Sequence, residues 1–211
     1  MQLEADNLVR SENNAQGLRI KSRNLIAAFV SGLALVLVSV ECITPSPTGF
    51  LFGLLTGFVY ANGFEYCLHR FLLHSGQGMF SQQHMVHHAT LKSPDAARYV
   101  NFSRNPWGVV ALFCANALPF FFLEWMFHNG WIAGVFVSFA LYYIAFEEIH
   151  WRTHMGGWLP DSLKLAARHH LRHHADDSGH FNVFLPLFDC LVSLVSGGRP
   201  HTNVGRGANK I

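Results

Sequence analysis

The sequence is short of charge. Asp, Glu, Lys and Arg make up 13% of its 211 residues, against about 25% in an ordinary soluble domain. The net charge is only +2 and there is no long basic run, which argues against a nucleic-acid partner. HExxH, GxSxG and GxGxxG are all missing, so zincin, hydrolase-elbow and dinucleotide chemistry lack their usual residues. Cysteine is scarce as well. Cys42, Cys67, Cys114 and Cys190 form no CxxC, and most lie in apolar runs. They are expected to be buried small hydrophobes in a reducing compartment, forming neither disulfides nor a zinc site.

Apolar residues and histidine are plentiful. Half of the chain is hydrophobic, with 19 Phe and 14 His. Residues 1–22 are polar and Asn-rich, and are expected to be loosely ordered. Leu25 to Ile43 is long enough to cross about 30 Å of hydrocarbon. It is too long for a signal-peptide core and reads as a retained anchor. Thr44 to Thr48 holds two prolines and should turn. Gly49 to Cys67 is a second apolar run, whose Gly53 and Gly57 suit close helix packing. Trp107 to Phe127 and Trp131 to Ile149 form the third and fourth, joined at Asn129-Gly130. Trp107, Trp125 and Trp131 sit at span ends, as in an aromatic belt. The last apolar piece, Phe181 to Val195, contains Pro186 and Asp189 and should rest at the interface or on the cap. The expected fold is therefore all-α: an integral membrane protein with about four transmembrane helices and a cytoplasmic histidine-rich helical cap. Its division is a polar segment 1–22 and one membrane domain, 23–211.

Charge placement tests this topology. The turns at 44–48 and 124–130 contain no Lys or Arg, so all 15 basic residues fall on the other side. The positive-inside rule makes that side cytoplasmic, in a bacterial inner membrane or the endoplasmic reticulum. An even number of spans places both termini there. A pair of re-entrant hairpins is the alternative. The sequon at Asn101 to Ser103 falls on the same side and reads as accidental.

Ten histidines form four blocks on that face. They are His69 and His74; His84, His87 and His88; His150 and His154; and His170, His173 and His174. Neutral imidazole is the commonest side-chain metal ligand, and helix residues three or four apart share a face. His69 and His74 are five apart and fall on different sides of an ideal helix. Either the helix ends near Ser75-Gly76 or the two serve different ions. Ten ligands are too many for one ion, so two are the simplest count, and ligand type leaves iron and zinc both open. Glu65, four before His69, and Glu147, three before His150, are expected to fix imidazole tautomer and orientation. His128 belongs to the far turn and is no ligand. His169 adjoins a block without completing it, and His201 is expected to be solvated.

This motif set resembles the fatty acid hydroxylase/sterol desaturase superfamily of membrane di-metal oxidases, over roughly Glu65 to Gly197. His69 to His74 looks like its HxxxxH. His84 to His88 and His170 to His174 look like its HxxHH motifs. Phe146 to His154 looks like its acidic-xx-HxxxH block. The resemblance implies that all ten histidines hold two metal ions, iron or alternatively zinc, with O2 as co-substrate. It implies hydroxylation of a lipid C–H bond, on a fatty acyl chain. A sterol or carotenoid desaturase/hydroxylase, or a non-oxidative membrane zinc protein, is the alternative. His88 to Val100 and Gly179 to Asp189 look more like lipid 2-hydroxylases than carotenoid hydroxylases. Asp95, Arg98, Tyr99, His180 and Asn182 are the candidates to hold a substrate headgroup. Departures are Glu147 in place of Asp, Met155 after His154, and Leu194 to Gly197 in place of Phe-Gly-Thr. No cytochrome-type domain is evident, so a separate cytochrome b5-like or ferredoxin-like electron donor is implied. A metal transporter would need ionisable groups along its path, whereas residues 25–64 and 107–146 show almost none beyond Glu41 and Glu124 near span ends.

Overall fold

The computed structural model describes residues 2–44, 46–176 and 179–197, and His201 lies outside them. Every element among the described residues is helical: α1 (Gln2–Cys42), α2 (Pro47–Cys67), a π-helical turn (Leu68–Leu73), α3 (Gly78–Thr90), α4 (Ala96–Tyr99), α5 (Pro106–Phe127), α6 (Ile132–Met155), α7 (Asp161–Asp176) and α8 (Leu187–Val195).

The expectation of a loosely ordered N-terminal segment is overturned, because α1 is continuous through residues 2–42. At 1.5 Å per residue it is about 60 Å long, roughly twice the hydrocarbon thickness. Its outer half is ordered by a buried stripe of Asn13, Gly17, Ile20, Asn24 and Ala28. Asn13 Nδ2 donates to Asp95 Oδ1 at 2.9 Å and to the Pro94 carbonyl at 3.1 Å. Asn101 Nδ2 donates to the Gly17 carbonyl, and Lys21 pairs with Glu148. A stripe of Asn and Gly carries no apolar periodicity, and so the composition read as unstructured.

α6 is the helix the others pack on. Of its apolar window 61% is buried, against 17% in α1 and 33% in α5. α2 runs parallel to it at very short range. A Cβ on Gly53 would lie 2.0 Å from the Trp131 carbonyl oxygen, and one on Gly57 would lie 2.7 Å from that of Val135. The small-residue pair therefore does bring two backbones together. α1 and α5 run antiparallel to α6. Phe113 of α5 meets Phe139 and Phe120 meets Phe136. At the far turn the Glu124 carboxylate is fully buried and accepts from the backbone of Gly130, Trp131 and Ile132. It thereby satisfies the open donors at the start of α6.

Among the described residues, α1, α5 and α6 are long and apolar enough to cross a membrane. α2 has 21 residues but carries Asn62 and Glu65, and is not among these three. The four cysteines are free, as expected, but all are exposed on helix surfaces. They fall on the outward faces of their helices, so the expectation of burial is corrected. α8 is too short to cross, and Phe188 seats it against Gly63 and Tyr66 of α2.

Candidate metal centre

Four helical pieces bring the ten histidines together. α3 supplies His84, His87 and His88; α7 supplies His170, His173 and His174; α6 supplies His150 and His154. The turn after α2 supplies His69 and His74. That turn is π-helical, with the His74 N–H donating to the His69 carbonyl at 3.2 Å. An i→i+5 bond aligns residues five apart on one face. The helix neither ends between the two histidines nor sends them to different places.

The rings form two groups of five: His69, His74, His84, His88 and His173; and His87, His150, His154, His170 and His174. Within each group the ligand atoms lie within 4.8 Å of one another. Each HxxHH serves both groups. Its first and third histidines, four apart, share one group, and the middle one crosses to the other. The π-turn pair then completes the first group and the α6 pair the second.

The spacing fits metal ligation better than hydrogen bonding. His84 Nε2 stands 3.0 Å from the Nε2 atoms of His69, His74 and His88 alike. His74 and His173 meet at 3.0 Å and His154 and His170 at 2.9 Å, again through Nε2. One imidazole nitrogen cannot bond to three others. Ligands at right angles around an ion, each about 2.1 Å from it, stand about 3.0 Å apart; tetrahedral ones stand about 3.4 Å apart. His87 is 2% exposed, and neither of its ring nitrogens has a hydrogen-bond partner among the described residues. A cation would resolve that unsatisfied burial.

Electrostatics points the same way. Burial, helped by neighbouring imidazoles, holds His69, His84, His87 and His170 well below the usual histidine range. Burial and then His173 lower His88 to about 4. His174 is lowered by burial and by His87. At neutral pH these rings are uncharged, as ligands must be.

The tautomers are set by backbone. His69 Nδ1 donates to the Phe181 carbonyl, and His173 Nδ1 donates to that of Gly179 at 2.9 Å. Each Nε2 thereby carries a lone pair, the form in which imidazole ligates a metal. The strap carrying these carbonyls is held by two carboxylates. Glu65 accepts from Val183 N at 2.6 Å, Phe184 N at 3.3 Å, Asn182 Nδ2 at 3.1 Å and the Tyr142 hydroxyl at 2.5 Å. Asp189 accepts from the backbone of Phe181 and Asn182 and pairs with His169 at 2.9 Å.

The expectation that Glu65 and Glu147 fix imidazole tautomers directly is therefore corrected. Each bonds to no histidine among the described residues. Glu65 shares a helix face with His69, four residues on, and both side chains meet the strap at separate backbone groups. Glu147 Oε1 accepts instead from Asn24, the Phe102 backbone and the Tyr143 hydroxyl, tying α1 and the 101–105 turn to α6. Carbonyl acceptors such as that of Phe181 carry no sequence signal, and Asp189 shows only as a charge within an apolar piece.

The headgroup candidates scatter. Tyr99 lines the cleft beside the histidines. Asp95 is engaged by Asn13 and lies 3.6 Å from Arg98. Asn182, 1% exposed, bonds Glu65 and Asn62. His180, in the left-handed region, meets His169. His128 caps α5 at the opposite end of the bundle.

A cleft reaches the cluster from the bundle. His69, His84, His87, His150 and His170 line its inner end, beside Leu73, Val100 and Val183. It adjoins an apolar cleft of Ala61, Phe64, Leu112, Phe139, Tyr142 and Tyr143, and the two share Glu65, Leu68, Phe102 and Phe146.

Comparison with curated proteins and with solved structures returns no match. The family model described as fatty acid hydroxylase matches residues 25–193. With its histidine blocks folded into two five-ring groups, the chain belongs to the fatty acid hydroxylase family, within the fatty acid hydroxylase/sterol desaturase superfamily.

Proposed function

We propose that this protein is an O2-dependent oxidase that hydroxylates a C–H bond of a fatty acyl chain, with one iron ion in each five-histidine group. The observation that carries this reading is the pair of five-nitrogen groups, side by side at the inner end of an apolar cleft. Five nitrogens at right-angle spacing exceed the four that a structural zinc takes. They suit an octahedral ion with one position left for a co-substrate. Bound there, the two ions supply the oxygen activation that no amino-acid side chain provides.

The chain's own residues do the rest. Phe64, Leu68, Phe102, Leu112, Phe139 and Phe146 line the cleft and orient an alkyl chain toward the rings. The strap residues Phe181 and Val183, both buried, exclude water from one side of the cluster. His69 and His173 keep their protons on Nδ1, where the strap carbonyls hold them. Tyr99 is the one headgroup candidate that lines this cleft, which supports a role for it in meeting a polar group of the substrate.

We read the membrane domain, 23–211, as crossing four times. α2 lies alongside α6 over its whole length, so a membrane that α6 crosses also encloses α2. The cluster then faces the cytoplasm, which the basic residues favour. There a separate cytochrome b5-like or ferredoxin-like donor supplies electrons. The test is purified protein with iron, a lipid mixture, O2 and a reductant, read by lipid mass spectrometry. A product heavier by one oxygen atom, absent without O2 or reductant, is expected. Product formed without O2 would sink the reading.

A further inference from the structure

A second cavity lies beside the cleft. It has a volume of about 480 Å³ and is lined by Gln16, Arg19, Ile20, Arg23, Gln83, Arg104 and Asn105. Gln16, Arg19, Ile20 and Arg23 follow i, i+3, i+4, i+7 spacing and form one face of α1. Arg104 and Asn105 close the cavity from the turn before α5. No Asp or Glu lines it, and none of the three arginines has a carboxylate partner among the described residues. Three guanidinium groups around one concavity repel each other unless an anion sits between them. Basic residues that merely set topology need not converge, whereas these come from the middle of α1 and from the turn before α5 onto one hollow.

The cavity's depth and its neighbours suggest what fills it. Arg23 immediately precedes the apolar part of α1, and Arg104 lies two residues before α5. Trp107, 71% exposed, marks the same level as an interfacial aromatic. In a membrane crossed by α1 and α5, lipid phosphates lie at this level. Two residues join the cavity to the histidine cleft. Gln83 lines both, and its buried Oε1 has no hydrogen-bond partner among the described residues. Tyr99 lines the cleft and lies under the Arg104 guanidinium, 5.3 Å away.

We propose that this cavity binds the phosphate of an anionic membrane phospholipid and so presents that lipid's acyl chain to the cleft. The second half rests on the oxidase reading above; the first half does not. The guanidinium groups take the phosphate oxygens by charge-assisted hydrogen bonds. Asn105 and Gln16 are placed to take the glycerol or headgroup hydroxyls.

The test uses the full-length protein in micelles holding equal amounts of phosphatidylglycerol and phosphatidylcholine, read by native mass spectrometry. Wild type should retain phosphatidylglycerol preferentially. The triple variant Arg19→Gln, Arg23→Gln, Arg104→Gln should weaken that retention by about a hundredfold, at roughly tenfold per 1.4 kcal/mol and 1 kcal/mol per charge. Its metal content should match wild type, which also shows that it is folded. The corresponding triple Lys variant should keep most of the preference. Equal retention by wild type and the Gln variant would overturn the proposal. So would displacement of the lipid by inorganic phosphate at equal concentration, which would make this a site for a free phosphoryl compound. Loss of electron transfer from an acidic donor protein, with lipid retention unchanged, would make it a protein-docking site and equally overturn it. If lipid binds as described but no oxidised product forms, only the oxidase reading fails.

Discussion

Glu65 touches no imidazole, yet the metal centre should depend on it. Glu65→Ala removes an acceptor that serves two backbone N–H groups, the Asn182 amide and the Tyr142 hydroxyl. These donors lie where water cannot replace the carboxylate. At about 1–3 kcal/mol for each of the four donors left unsatisfied, the loss is roughly 4–12 kcal/mol, comparable to the 5–15 kcal/mol that holds a typical domain folded. The strap from Gly179 to Phe184 should loosen, and with it the carbonyls that receive the Nδ1–H of His69 and His173. Both rings belong to the first group, so that group should weaken first. Losing such support typically costs about 10–100-fold in metal affinity. Glu65→Gln keeps one acceptor oxygen and should fall in between. The assay is a chelator titration of the loaded protein with metal quantified at each step, alongside thermal unfolding. Wild type should release both ions late, the Glu65→Gln variant one ion earlier, and the Glu65→Ala variant that ion earliest. If the Ala variant held both ions as tightly as wild type, the strap would have no part in ordering the ligands.

Three further outcomes follow from the same geometry. Deleting Leu72 should convert the π-turn to an ordinary α-helical turn in which His69 and His74 stand four apart and still share a face; metal analysis should show both ions retained, and loss of one ion would show that the π-turn geometry itself is required. Gly53→Val should force α2 off α6 at the Trp131 carbonyl, with a stability loss of about 1–3 kcal/mol, read as a lower unfolding temperature; an unchanged temperature would deny the close helix contact. The metal-free protein should be acid-labile. His88 titrates at about 4 when folded and near 6.5 when unfolded, so between those values the unfolded chain binds the extra proton and stability falls as pH falls. At pH 5 this one residue costs about 2 kcal/mol. Denaturant titrations at pH 7 and pH 5 read it, and equal stability at both would contradict the burial of this ring.

The sequence and the structure agree where residues act by type and spacing. Apolar runs marked the helices, and the i, i+3, i+4 pattern of HxxHH marked its shared face. The glycine pair marked the α2–α6 contact. They part where a residue acts by position alone. The Asn13, Gly17 and Asn24 stripe orders the outer half of α1 through hydrogen bonds, which no hydropathy pattern reveals. The five-residue interval of His69 and His74 is paradoxical for an α-helix and natural for a π-turn. The Phe181 and Gly179 carbonyls could have come from any residue, and Glu65 found its partners on a strap more than a hundred residues away.

X-ray absorption at the iron edge of the metal-loaded protein, with metal content measured on the same sample, examines the central claim most directly. The account predicts two ions per chain, each with five nitrogen neighbours at about 2.1 Å. A single ion, or four-coordinate tetrahedral sites, would contradict it.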